Sequence, residues 1–109
     1  MFTKGKSFSN FPFRVFWMNV ENENKLKAGF SASTKIFKKA TDRNKIKRLM
    51  RESYRLQKND LDAQLSYTYK AINVFFIYTG KEIPKYDFIF EKMGNVLKRI
   101  IKLTDEKFQ

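Results

Sequence analysis

Cysteine and histidine are both absent from this chain of 109 residues. Their absence excludes a disulfide scaffold, a thiol nucleophile and a zinc site of the usual ligand types. It also removes the commonest general base in enzymes. Acidic residues are few, 11 Asp and Glu against 23 Lys and Arg, and they are scattered. Glu21 and Glu23 fall in a polar tract, and Asp60 and Asp62 flank a surface segment. No paired carboxylates offer themselves for acid–base or metal chemistry, so neither a catalytic nor a metal-binding residue is expected in the protein. No apolar run is long enough to cross a membrane, and residues 1–10 lack the apolar centre of a signal peptide. The expected location is the cytoplasm.

What the chain has in excess is positive charge and aromatic rings. Its net charge is +12. Solubility alone needs about 2–8 charges in a small domain, so the surplus points to a polyanionic partner, with nucleic acid ahead of an anionic membrane surface. Aromatic residues make up 17% of the chain, 12 of them Phe. That exceeds what one modest core consumes, and it predicts rings on a recognition surface. The length and the 42% hydrophobic content fit one domain, residues 1–109.

Residues 11–20 are aromatic and β-branched and read as a strand. Period two places Phe11, Phe13, Val15 and Trp17 on one face, and Arg14, Phe16, Met18 and Val20 on the other. A second strand is expected over residues 26–33. There Leu26, Ala28, Phe30 and Ala32 face one way, and Lys27, Gly29, Ser31 and Ser33 the other. The polar tract between them suggests an antiparallel hairpin. A basic loop, residues 34–42, leads into a helix from about residue 43 to 58, with Thr41 or Asp42 as its cap. Residues 59–70 are ambiguous, because Leu61, Leu65 and Tyr69 recur at helical spacing. Residues 71–78 form the most apolar strand. A last helix, capped by Asp87 and reaching about residue 104, presents Phe90, Met93, Leu97, Ile100 and Ile101 inward.

The first of these helices carries the strongest functional signal. At about 100° per residue, Arg43, Asn44, Lys47, Arg48, Arg51 and Arg55 fall on one arc. Ile46, Leu49, Met50, Ser53 and Leu56 fall on the opposite one. Like charges at i,i+4 spacing repel, and only Glu52 relieves them locally. The arrangement suits a helix that docks by one face and offers cations to a ligand by the other. Lys35, Lys38 and Lys39 extend the patch from the preceding loop. Arginine forks fit pairs of phosphate oxygens, and Asn44 adds a donor and an acceptor.

The run Gly29-Phe30-Ser31-Ala32-Ser33, the basic loop and then Ala40-Thr41-Asp42-Arg43-Asn44-Lys45-Ile46-Lys47-Arg48-Leu49-Met50-Arg51-Glu52 resembles the signature of the bacterial ribonuclease P protein family. The hallmark is Arg-Asn, a basic residue, then Lys-Arg and often Arg-Glu; Lys45 stands where the family often has Arg. Asn73-Val74-Phe75-Phe76-Ile77 matches the strand after the basic helix, and Phe2-Thr3-Lys4-Gly5-Lys6-Ser7 looks like the end of a first helix and the turn after it. Most of that first helix lies before Phe2 in the family.

The resemblance implies an α+β sandwich, a mostly antiparallel sheet packed with helices, like the second domain of a small-subunit ribosomal protein. It also implies a left-handed strand–helix–strand crossover, against the general right-handed rule. It implies a protein that assists a catalytic RNA in cutting the 5′ leader from precursor tRNA, with Mg2+ bound mainly by the RNA. By resemblance and strand phase together, Phe2, Phe13, Phe16, Ser31 and Ser33 are candidates for a leader cleft that stacks bases without reading them. A ribosomal or general RNA-chaperone protein would explain the charge but not the Arg-Asn pattern. A helix-turn-helix DNA reader would need a short helix before residue 43, where the sequence offers strands. A membrane-surface helix would need a larger apolar face.

Overall fold

The computed structural model describes residues 6–20, 26–67 and 71–106. Four strands and three helices follow one another as β1 (Lys6–Asn10), β2 (Phe13–Val20), β3 (Leu26–Ala32), α1 (Ala40–Gln57), α2 (Asn59–Tyr67), β4 (Ala71–Tyr78) and α3 (Tyr86–Glu106). They build one sheet in the order β1-β2-β4-β3. β1 pairs antiparallel with β2, β2 antiparallel with β4, and β3 parallel with β4. The mostly antiparallel sheet and its helix-bearing crossover between parallel neighbours agree with the α+β architecture that the resemblance implies.

Cross-strand register sorts the sheet into two faces. Phe8, Val15, Phe76 and Phe30 lie in one row across all four strands, and Asn10, Phe13, Tyr78 and Ala32 in another. The apolar members of these rows join Ile46 and Met50 of α1, Leu61 and Leu65 of α2, and Ile89, Met93, Val96 and Ile100 of α3 in one core. The helices therefore cover this inner face. Phe13 touches Phe76 and Tyr78 edge-on, and the Phe30 and Phe76 rings stack at 5.4 Å. Such edge-on and offset pairs add to the area that the rings bury. Gln57 donates to the carbonyl of Phe90 at 2.9 Å, and Gln64 to that of Ile101 at 2.8 Å, which ties α1 and α2 to α3.

Several local expectations need correction. β2 and β3 do not form a hairpin: β4 lies between them and takes the hydrogen bonds of both. β1 begins at Lys6, so Lys6 and Ser7, the end of the Phe2–Ser7 stretch that looked like a helix end and turn, are strand, and the rest of that stretch lies outside the described residues. α1 begins at Ala40, so Thr41 and Asp42 lie inside its first turn, and Lys39 holds the cap position with no side-chain cap bond. α3 begins at Tyr86, which likewise puts Asp87 inside the first turn, where an acid still complements the helix dipole. Phe11 lies just outside β2 and is exposed, as is Phe90 on α3, while Ile89 and Val96 take inner positions on α3. Residues 59–67 are helical, and Tyr69 lies outside the described residues.

Candidate nucleic-acid interface

The loop before α1 is basic in sequence but structurally fixed. Phe37 is buried against Tyr78, with ring centroids 6.1 Å apart, and its amide donates to the carbonyl of Ser33 at 2.9 Å. The Ser33 hydroxyl accepts from the amides of Lys35 and Ile36, a short side-chain turn that competes well with regular structure. Lys35, Lys38 and Lys39 are exposed around that anchor. Ser33 thus acts as a loop brace just beyond the end of β3.

The cations of α1 differ in their surroundings. Arg43 is half-buried, and its Nη1 donates to the carbonyls of Phe37 and Lys38 at 2.7 and 3.0 Å. Arg55 is tied to Glu52 at 2.6 Å, which lowers the Glu52 carboxyl below its ordinary pKa. Arg51 lies over the ring of Phe30, 5.9 Å from its centroid. Asn44 and Arg48 are exposed, and Lys47 is half-buried. The inner arc of α1 is rotated from the expected one. Tyr54 is buried, whereas Leu56 is 51% exposed. On the wheel Tyr54 falls about 20° from both Arg43 and Lys47, which is why those two cations sit at the rim of the contact.

The outer face of the sheet carries no helix among the described residues. Ser7, Phe16, Phe75 and Gly29 form one row across it, and Ser9, Arg14, Ile77 and Ser31 the next. Phe16 is 38% exposed and Phe75 42% exposed, and the Arg14 guanidinium lies 5.3 Å from the Phe16 ring centroid. A groove of about 870 Å³ runs over this region and is lined by parts of all four strands: Lys6 and Ser7, Phe16 to Met18, Lys27 to Gly29, and Asn73 to Phe75. Gly29 makes room for the Phe75 ring, because a Cβ at residue 29 would lie 2.6 Å from Phe75 Cδ1.

Of the expected cleft residues, Phe16 lies on this face and Ser31 is half-buried in its second row. Phe13 does not belong there. It is 1% exposed and packs in the core, because it shares the inner strand phase of Val15 and Trp17. Phe2 lies outside the described residues. Phase reasoning missed Phe75. Its run looks uniformly apolar, yet Asn73, two residues before it on the same face, marks that face as outer. The groove and the cationic arc of α1 meet at β3, whose Lys27, Gly29 and Ser31 occupy the outer face while Phe30 receives Arg51 from the inner one. Among the described residues, no group of three or more metal-ligating side chains comes together, and no helix is long and apolar enough to cross a membrane.

Comparison with known proteins shows the family and the fold. The family model described as Ribonuclease P matches residues 1–101. A ribonuclease P protein component of Porphyromonas gingivalis is 31% identical over 103 residues, covering 92% of this chain and 74% of that protein. One from Listeria monocytogenes is 32% identical over 99 residues, covering 91% and 82%. The solved structure of the Staphylococcus aureus RNase P protein superposes with a TM-score of 0.51 at 27% identity, over 93% of this chain and 82% of that one. On the match over residues 1–101, the chain belongs to the ribonuclease P protein family.

Proposed function

We propose that this protein is the RNA-binding subunit of a cytoplasmic ribonuclease P and assists removal of the 5′ leader from precursor tRNA. The observation that carries the proposal is the junction at β3, where a helix-borne cationic arc meets an aromatic, cation-edged groove. The arc has the chemistry for a structured RNA. Asn44, Lys47, Arg48, Arg51 and Arg55 offer their charges and hydrogen bonds to phosphates, with Lys35, Lys38 and Lys39 beside them. Arg43 contributes by holding the 37–38 loop and turns its remaining donors to the same RNA. The groove has the chemistry for an unpaired strand: Phe16 and Phe75 stack bases, Arg14 and Lys27 draw the backbone, and neither ring reads a base edge.

In this division of labour the protein binds and orients. Magnesium ions, which the RNA subunit would mainly hold, would supply the activation of water for hydrolysis. The protein's own residues position the leader beside that site, and the cations lower the repulsion between two RNA chains. The test is cleavage of precursor tRNA by a bacterial catalytic RNA at limiting magnesium, with and without this protein. The expected result is faster, site-correct cleavage only when RNA and protein are both present. Precursor affinity should fall with Phe16→Ala or Phe75→Ala, while affinity for mature tRNA stays unchanged. Cleavage by RNA-free protein, or no stimulation by the protein, overturns the proposal.

A further inference from the structure

The edge of the sheet opposite α1 carries a second set of rings and cations, used by neither the arc nor the groove. β1 and β3 are the two edge strands. α1 packs on the β3 side, whereas α3 reaches β1. There the Arg99 guanidinium lies over the Phe8 ring, 4.2 Å from its centroid, and Arg99 donates to the carbonyl of Ser9 at 3.4 Å. Further along α3, Lys92 Nζ lies 5.5 Å from the Phe88 ring centroid. Phe88 in turn meets Phe11 edge-on at 6.5 Å. Phe88, Lys92, Asn95, Arg99 and Lys102 all fall within an arc of about 80° on α3. On the same wheel Glu91 falls at the margin of that arc, and Glu106, the last residue of the helix, falls within it.

Phe11 is 67% exposed, the largest value among the exposed large hydrophobic residues of the described chain. Its position is nevertheless fixed. The following residue, Pro12, is buried, and its carbonyl accepts from both the amide and the hydroxyl of Thr79, at 2.7 and 3.0 Å. Phe11 is a large ring held in water, its neighbour Phe88 carries Lys92, and Arg99 follows further along the same helix. Such a row suits stacking of an unpaired base with phosphates continuing along the cations. A duplex would present no free base face to Phe11. A second copy of this chain would bring the same cations and a net charge of +12 against them, so a polyanion fits the charge better.

We propose that the β1–α3 edge, centred on Phe11, Phe88, Lys92 and Arg99, is a second contact surface for single-stranded RNA, separate from α1 and the outer groove. This goes beyond the function proposed above and does not rest on it. The experiment uses the full chain and a uridine dodecamer carrying 4-thiouridine, with photocrosslinks mapped to peptides. The background variant Phe16→Ala, Arg48→Ala, Arg51→Ala weakens the other two surfaces, and its fold is checked by circular dichroism.

The expected result is crosslinking at Phe11 and the 88–92 turn in both the unaltered and the background proteins. Adding Phe11→Ala to the background should weaken oligonucleotide binding about fivefold or more. Adding Lys92→Gln instead should reduce the salt slope by about one. Crosslinks confined to α1 and the outer face, or unchanged affinity on adding Phe11→Ala, overturn the proposal. So does a dimer in sedimentation that Phe11→Ala dissociates without touching oligonucleotide affinity.

Discussion

Arg43 and Arg48 share one helical arc but do different physical work. Arg43 donates to two loop carbonyls, while Arg48 is exposed. Hydrogen bonds from a charged donor contribute about 1.5–3 kcal/mol each when well formed, less where water competes. Arg43→Ala should therefore lower stability by about 1–2 kcal/mol and also weaken RNA binding. Arg48→Ala should weaken RNA binding alone. Urea denaturation beside RNA titration of both variants checks the contrast. Tyr54 makes a second case. Its ring packs against Phe30 and Phe76, but its buried hydroxyl has no hydrogen-bond partner among the described protein atoms. Tyr54→Phe should stabilise the fold by about 1 kcal/mol at neutral pH, since it removes an unsatisfied polar group and keeps the ring. Burial, with the charge of Asp62 second, pushes the Tyr54 hydroxyl pKa above its ordinary value of 10.0. A raised folded-state pKa contributes stability that is complete below pH ~10 and is lost as pH rises beyond it, because the unfolded chain ionises first. The stability of the unaltered protein should fall above pH 10, and that of Tyr54→Phe should fall less. Tyr78, also raised by burial, retains part of the slope.

At the scale of elements, the groove depends on a match between two neighbouring strands. Gly29 of β3 stands beside Phe75 of β4 in register, and the ring occupies the space that a side chain at 29 would need. Gly29→Ala puts a methyl group into that space. The ring is partly exposed and yields more easily than the backbone, so it should swing off the face. Overpacking of a tight site costs about 1–3 kcal/mol, and the low end applies where a side chain can move away. The expected outcome is a stability loss of about 1 kcal/mol with a larger loss of precursor-leader affinity. Circular dichroism melts and leader-oligonucleotide titrations measure the two effects. Phe75→Ala alone should reproduce the affinity loss without the stability loss. α1 shows the complementary logic. Its inner arc centres on Ile46, Met50, Ser53 and Tyr54, so Arg48, Arg51 and Arg55 are exposed, Arg51 still lying over the Phe30 ring, while Arg43 and Lys47 at the rim are half-buried.

For the whole molecule the dominant quantity is its charge of +12 on 109 residues. Binding that neutralises about 5 phosphates releases their counterions. Affinity for the catalytic RNA should then drop by roughly two to three orders of magnitude between ~50 and ~200 mM salt. Filter binding across that range checks it, and a nearly flat dependence would mean that stacking or shape dominates. The groove, the α1 arc and the β1–α3 edge lie on different sides of one small sheet. On the proposals above, RNA would reach the protein from more than one direction, and the core would hold these surfaces at fixed separations. It does so with rings that bridge the strands and helices, Phe13, Phe30, Tyr54, Phe76 and Tyr78 among them.

The sequence by itself determined the local patterns. The alternation Phe13, Val15, Trp17 against Arg14, Phe16 made β2 legible, and the cationic arc of residues 43–55 made the basic helix legible, because both follow from the geometry of one element. It also carried the family, through the Arg-Asn-centred run. Only the tertiary structure decided which strands are neighbours, since pairing joins residues far apart in the chain: β4 enters between β2 and β3 and breaks the expected hairpin. β1 escaped notice because Lys6–Asn10 is mostly polar and is a strand only by pairing with β2. The fate of each ring was likewise a matter of layers. Phe13 and Phe16 differ by three positions in one strand, and the sequence could not say which face the helices would cover. The helices took the face of Phe13, and that left Phe16 and Phe75 to face water.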